Sequence, residues 1–272
     1  MIVDGRAIAA DILRDTKERV LRLGVTPVVR AITCAPSPAT LSYLKIKAAR
    51  AEDAGMRLEV VHLPEDATEL AFLEAVRDPG AHAVIVQLPL PSHIRTQEIV
   101  NAIALRQDAD VLSEHAYAAF EQQTKFSLLP PVVEAIKEVL ERTQVDVSQK
   151  KVVVVGQGKL VGIPSAQWLK VSGAKVTVVT RETESPTSLQ EADIIVSGAG
   201  SPGLITPQDI REGVVLIDAG TSEQGGQVVG DADPACALKA SVFTPVPGGM
   251  GPIAVACLFR NVVTLLERSL QE

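Results

Sequence analysis

Three short segments in the first half of the chain carry a lysine, a carboxamide and a carboxylate: Tyr43-Leu-Lys-Ile-Lys47, Gln87-Leu-Pro-Leu-Pro91 and Asp108-Ala-Asp110. Tyr43 and Lys47 stand four apart, so on a helix they share one face while Lys45 points elsewhere. A helix lysine on its own is solvated and inert. Buried beside a strand end, it loses its preference for the charged form and can act as a base near neutrality. Gln87 closes an apolar run, and ligands of open α/β sheets collect at the carboxyl ends of strands. Asp110 follows another short apolar stretch. Such a lysine beside a nucleotide site would serve redox and acid–base chemistry on one small molecule.

The nucleotide site is suggested by Gly156-Gln157-Gly158-Lys-Leu-Val-Gly162, which follows an apolar strand-like run. Glycines there let the backbone approach a pyrophosphate, and the helix that follows offers oriented N–H groups. The spacing is one residue longer than the common fingerprint, and such glycines also close strand-to-helix turns in folds that bind nothing. The next strand ends in Thr180-Arg181-Glu182. An acidic residue at that place suits the ribose hydroxyls of NAD, whereas the Arg181 fork suits a 2′-phosphate. The reading favours NADP, because Arg181 comes first after the strand. NAD stays open, with Arg181 then a solvated surface charge and Glu182 on the ribose.

Positioning these groups requires alternating strands and helices. Apolar spacing predicts helices over 7–23, from Thr40 to Gly55, over Glu69–Val76 and over 131–143. Buried strands are expected at Pro27–Ile32, Met56–Leu63 and Ala83–Gln87, the last ending at the Pro89/Pro91 turn. Further on, strands are expected at Lys151–Val155, Lys175–Val179, Ile194–Ser197, Val214–Asp218 and Ser241–Thr244, with a helix over Pro164–Val171. Thr244-Pro-Val-Pro247-Gly248-Gly249-Met-Gly-Pro252 is too rich in proline and glycine for regular structure, and a final helix is expected over Ile253–Leu270. This alternation predicts parallel βαβ units in two α/β domains. Residues 1–120 with 253–272 form the first and 121–252 a Rossmann-type second, the final helix packing back on the first. The seam is placed at a helix near 115–140 and the 244–252 loop.

The 272 residues are 46% hydrophobic but only 3% aromatic, so Val, Ile, Leu and Ala must build the core, as under helix-covered parallel strands. A net charge of −7 argues against a nucleic-acid partner. Cys34, Cys236 and Cys257 lack any C-x-x-C spacing and fit reduced thiols in the cytoplasm. The four histidines show no metal-ligand spacing, so no metal is expected. No signal-like segment opens the chain, and no apolar run is read as long enough to span a bilayer.

The motifs resemble the FolD family of bifunctional methylenetetrahydrofolate dehydrogenase/cyclohydrolases over nearly the whole chain. Ile2-Val-Asp-Gly-Arg is similar to the family's opening, Pro38-Ala-Thr-Leu-Ser-Tyr43-Leu-Lys-Ile-Lys47 to its first signature, Val86-Gln-Leu-Pro-Leu-Pro91 to its second and Thr244–Pro252 to its third. The resemblance implies oxidation of 5,10-methylenetetrahydrofolate with NADP, then hydrolysis of the methenyl product to 10-formyltetrahydrofolate. It implies that Lys47 is the key cyclohydrolase residue, that Gln87 holds and tunes it, that Tyr43 orders the folate and that Asp110 binds the pterin edge. It also implies folate contacts from Pro247, Gly248 and Gly249, cofactor contacts from Gly156, Gln157, Gly158, Gly162, Thr180 and Arg181, and a homodimer.

Four departures from the family pattern stand out. The usual D-V-D-G-F-H is Asp108-Ala-Asp110-Val-Leu-Ser113, and the usual P-C-T-P is Leu128-Leu-Pro-Pro131. G-R-S in the cofactor turn becomes Gly156-Gln157-Gly158, and a common threonine becomes Ala254. These touch folate and cofactor contacts and leave Lys47, Gln87 and Asp110 in place. Two other readings are kept: a dehydrogenase with weak or lost cyclohydrolase activity, and a non-catalytic folate- or nucleotide-binding paralogue.

Overall fold

The computed structural model describes residues 1–180 and 186–270. Its contacts divide the chain into two compact units, Ala10–Pro131 with Val255–Glu272, and Met1–Ala9 with Val132–Ala254. These bounds differ from the expected ones at residues 1–9 and around 121–131. The first nine residues cluster with the second unit because the terminus is hydrogen-bonded there: Val3 N–H to Phe243 O at 2.8 Å, and Phe243 N–H to Met1 O at 2.9 Å.

The first unit takes in most of α1 (Gly5–Leu23), then β1 (Val28–Cys34), α2 (Pro38–Asp53), β2 (Arg57–Leu63), α3 (Glu69–Arg77), β3 (Ala83–Val86), α4 (Thr96–Asn101) and α5 (Glu114–Glu121). Its three strands run in the order β2-β1-β3, all parallel. Central β1 is buried at every position, which suits a strand covered on both faces. Ile32, Phe72, Val84, Ile99 and Ile103 belong to its core. No single helix spans 115–140: α5 stops at Glu121, and α6 (Pro131–Arg142) begins only after the Pro130-Pro131 pair. A proline disfavours helical backbone in the residue before it, so the earlier helix cannot run through.

The second unit continues with β4 (Lys151–Val155), α7 (Gly162–Val171), β5 (Lys175–Val179), α8 (Pro186–Glu191), β6 (Ile194–Ser197), β7 (Val215–Asp218), the hairpin β8 (Ser222–Gln224) and β9 (Gln227–Val229), and β10 (Val242–Phe243). Five strands form a parallel sheet in the order β10-β7-β6-β4-β5. β4 has β5 on one side and β6 on the other. The switch point of the sheet, where such folds open a crevice, therefore lies between β4 and β6.

The last helix, α9 (Met250–Ser269), starts three residues earlier than expected and takes in part of the proline- and glycine-rich stretch. Pro252 is tolerated because it falls in the first turn, where its missing N–H has no intrahelical partner to lose. By length and composition α9 could cross a membrane, at a mean hydropathy of 1.4, which corrects the reading that no apolar run was long enough. Ile253, Ala256, Cys257, Phe259 and Val263 on it are fully buried within the protein, as in a core helix.

Candidate active site

The lysine site is built on α2. Ser37 caps the helix by accepting the Thr40 N–H at 3.1 Å, and Pro38 occupies a favoured first-turn position. The start so fixed sets the helical phase, which turns Lys47 inward: its side chain is buried, with 7% of the residue exposed. Lys47 Nζ donates to Gln87 Oε1 at 3.0 Å and lies 5.7 Å from the centre of the Tyr43 ring. Tyr43 itself stays partly open to solvent. Gln87 follows directly on β3, and its N–H continues the ladder to Ile32 O at 2.9 Å. The amide oxygen that meets Lys47 thus stands at the carboxyl end of a parallel strand. Gln87 also donates through Nε2 to Leu88 O at 3.2 Å, which orients the oxygen toward the lysine.

Asp110 completes the cluster electrostatically. Burial lowers the Lys47 pKa while the Asp110 carboxylate pulls it back up. Burial raises the Asp110 pKa, Lys47 opposes that shift, and Asp108 adds to it. Burial and Asp110 together also push the Tyr43 phenol up. The four residues expected to work together, Tyr43, Lys47, Gln87 and Asp110, therefore gather in one unit. The arrangement sets an amine whose burial favours its neutral form beside a carboxylate able to accept paired N–H donors.

The cofactor turn lies in the other unit, at the switch point. Gly156 has φ of +98°. A Cβ there would stand 3.0 Å from Gly198 O, and one on Gly162 would stand 2.2 Å from Gly156 O. Gly198, beyond β6, could carry no Cβ either, because it would meet the Val161 side chain at 2.4 Å. Gly156 and Gly162 are imposed by close backbone packing, and Gly198 by the Val161 side chain. Gly158 is not, since its nearest neighbour would be 4.0 Å away. The turn leads directly into the N-terminus of α7, with Gln157 and Gly158 exposed beside it. Such a cradle fits a dinucleotide pyrophosphate. Thr180 follows β5, while Arg181 and Glu182 lie outside the described residues.

Pro247, Gly248 and Gly249 also belong to this second unit. The N-terminus holds their loop: Gly5 N–H donates to Gly248 O at 3.0 Å, and a Cβ on Gly5 would stand 1.9 Å from Gly249 O. The opening Asp4-Gly5-Arg6 motif is thus a clamp on the 247–249 loop.

Several supporting residues escaped the sequence reading. Asp231, fully buried, accepts from Ser197 Oγ at 2.6 Å and from the N–H groups of Ala199 and Ser201 at 2.8 and 2.7 Å, shaping the segment beside Gly156. Asp218 ends β7 and accepts from Gly220 and Ala232; burial pushes its carboxyl up to about 6, with Asp231 adding to the shift. The visible signal was a carboxylate ending an apolar strand, Val-Leu-Ile-Asp218. In the first unit Asp108 accepts the N–H groups of Leu112 and Ser113 at 3.2 and 2.8 Å, so of the two D-x-D carboxylates it is the one that shapes the loop.

The chain matches two family models, tetrahydrofolate dehydrogenase/cyclohydrolase, catalytic domain, over residues 3–110, and the NAD(P)-binding domain of the same family over residues 130–270. It is 35% identical to the bifunctional protein FolD of Moorella thermoacetica, with 98% of this chain and 99% of that protein covered. Among solved structures it resembles the Campylobacter jejuni FolD dehydrogenase/cyclohydrolase at a TM-score of 0.94 and 30% identity, over 99% of each chain. It equally resembles the Trypanosoma brucei FolD, solved with NADP cofactor and an inhibitor, at a TM-score of 0.94 and 32% identity, over 100% of this chain and 99% of that one.

Proposed function

The chain belongs to the tetrahydrofolate dehydrogenase/cyclohydrolase family, and on that premise we propose how its own residues divide the work. It is a bifunctional enzyme that oxidises 5,10-methylenetetrahydrofolate to the methenyl form with NADP and hydrolyses that product to 10-formyltetrahydrofolate. The observation that carries the residue assignment is the buried Lys47 amine bonded to Gln87 within the field of Asp110. Asp110 accepts the N–H groups of the pterin edge and fixes the one-carbon unit in place. Tyr43, flanking Lys47 on α2, lines the folate. As water adds to the methenyl carbon, Lys47 takes up the proton it sheds, the bond to Gln87 keeping the amine aimed. The family resemblance assigns folate binding to Pro247, Gly248 and Gly249 as well.

Gly156, Gln157, Gly158, Gly162 and Thr180 hold the dinucleotide, which when bound supplies the hydride acceptor. Arg181 supplies the charge for the 2′-phosphate, since the cofactor-turn arginine usual in the family is Gln157 here. Residues 10–131 serve as the catalytic half and the β4–β10 sheet as the nucleotide half. The three cysteines are buried and form no disulfide among the described residues, which accords with a reducing compartment, and we place the enzyme in the cytoplasm as a homodimer.

The test is a coupled absorbance assay that follows NADPH and the methenyl intermediate in the same cuvette. NADPH formation with only transient methenyl absorbance is expected. Persistent methenyl absorbance would mean a dehydrogenase without its second step, and no NADPH would mean a binding protein. In the same assay Arg181→Ala should weaken NADP use by about one to two decades, the worth of a charge-assisted hydrogen bond, and leave NAD use unchanged. Equal effects on both cofactors would make Arg181 a surface charge only.

A further inference from the structure

We propose that Asn261, on the last helix, is a positioning residue for folate recognition, acting through the peptide that carries Asp110. The inference rests on the assignment of Asp110 to the pterin edge. Asn261 is 3% exposed, and its Nδ2 donates to two main-chain carbonyls, Ala109 O and Leu129 O, each at 3.0 Å. The Ala109 carbonyl belongs to the planar peptide unit that ends at the Asp110 Cα. Fixing that oxygen fixes the plane from which the Asp110 side chain departs.

The loop is also tied on the other side of Asp110, where the Asp108 carboxylate holds the N–H groups of Leu112 and Ser113. Between the two ties stands Val111 at φ +56°, a left-handed conformation that a β-branched residue adopts only when its surroundings impose it. The residue is 4% exposed. The family's usual glycine at this place would take that conformation freely. With valine the loop depends on its hydrogen bonds, and Asn261 bonds the Ala109–Asp110 peptide from a distant element. A recognition carboxylate displaced by a fraction of an ångström loses its paired geometry, so the effect should be read in folate affinity.

The experiment is a double-mutant cycle on the full chain with Asn261→Ala and Asp110→Asn, measuring KM for methylenetetrahydrofolate, KM for NADP and thermal melting. Asn261→Ala should raise the folate KM about tenfold, with the NADP KM unchanged and kcat altered far less. In the Asp110→Asn background the same change should add almost nothing, because the residue it positions has lost its role. A folded Asn261→Ala protein with wild-type folate KM would overturn the proposal, as would a parallel rise in NADP KM or full additivity with Asp110→Asn. Should Asn261→Ala fail to fold, Asn261→Ser keeps one donor and should show about a threefold rise on the same criteria. If Asp110→Asn alone leaves the folate KM unchanged, it is the Asp110 assignment that fails.

Discussion

Two opposed influences act on Lys47, burial lowering its pKa and, more weakly, Asp110 raising it. Its direct partner is a carboxamide, which orients an amine without locking it as an ammonium the way a carboxylate would. Only the neutral amine accepts a proton, so the hydrolysis step gains activity as pH rises through the Lys47 pKa. Asp110→Asn removes the charge that raises this pKa, so at saturating folate the acid limb of the kcat profile should move to lower pH. A limb that stays in place or moves upward would show that the two groups do not communicate. The lysine, carboxamide and carboxylate were legible in the sequence, because each sits at a helix turn, strand end or loop whose position the apolar pattern announces. Asn261, Asp108 and Asp231 were not, because their meaning is a set of backbone partners that only the folded chain brings near.

Elements with apolar runs bounded by charges emerged from the sequence with their true limits: β4, β5 and β6 begin and end as expected. Short polar elements did not. α4, α8 and the hairpin of β8 and β9 are too short to leave a periodic signal, and α9 began inside a stretch that its prolines and glycines marked as loop. The glycines of the cofactor turn carry the clearest consequence at this scale. Gly162→Ala would place a methyl group 2.2 Å from Gly156 O, so turn and helix must part. NADP affinity should fall by an order of magnitude or more, as expected when a preorganised backbone cradle is opened. Gly158→Ala meets no such obstacle and should keep most of its affinity in the same fluorescence titration. Equal losses in the two variants would mean that the turn does not act through backbone packing.

For the whole molecule, parallel α/β architecture was legible from alternation and from a core poor in aromatics. The assignment of residues 1–9 was not, because it depends on pairing with β10, some 240 residues away in sequence. The proposed homodimer belongs to this scale as well. Light scattering at micromolar concentration should give about twice the chain mass of 28.8 kDa, and a value matching one chain would rule the dimer out.

The role proposed for Lys47 in the hydrolytic step needs its amine, whereas the scaffold does not need its charge to fold. Lys47→Met keeps the length and apolar body of the side chain while removing the amine. Hydrolysis of methenyltetrahydrofolate by this variant, followed by the loss of methenyl absorbance, should fall about 10²–10⁴-fold, the usual worth of a general acid–base group. Its thermal melting should stay close to wild type. Near wild-type hydrolysis in the folded Lys47→Met protein would show that Lys47 is not the proton acceptor of this step.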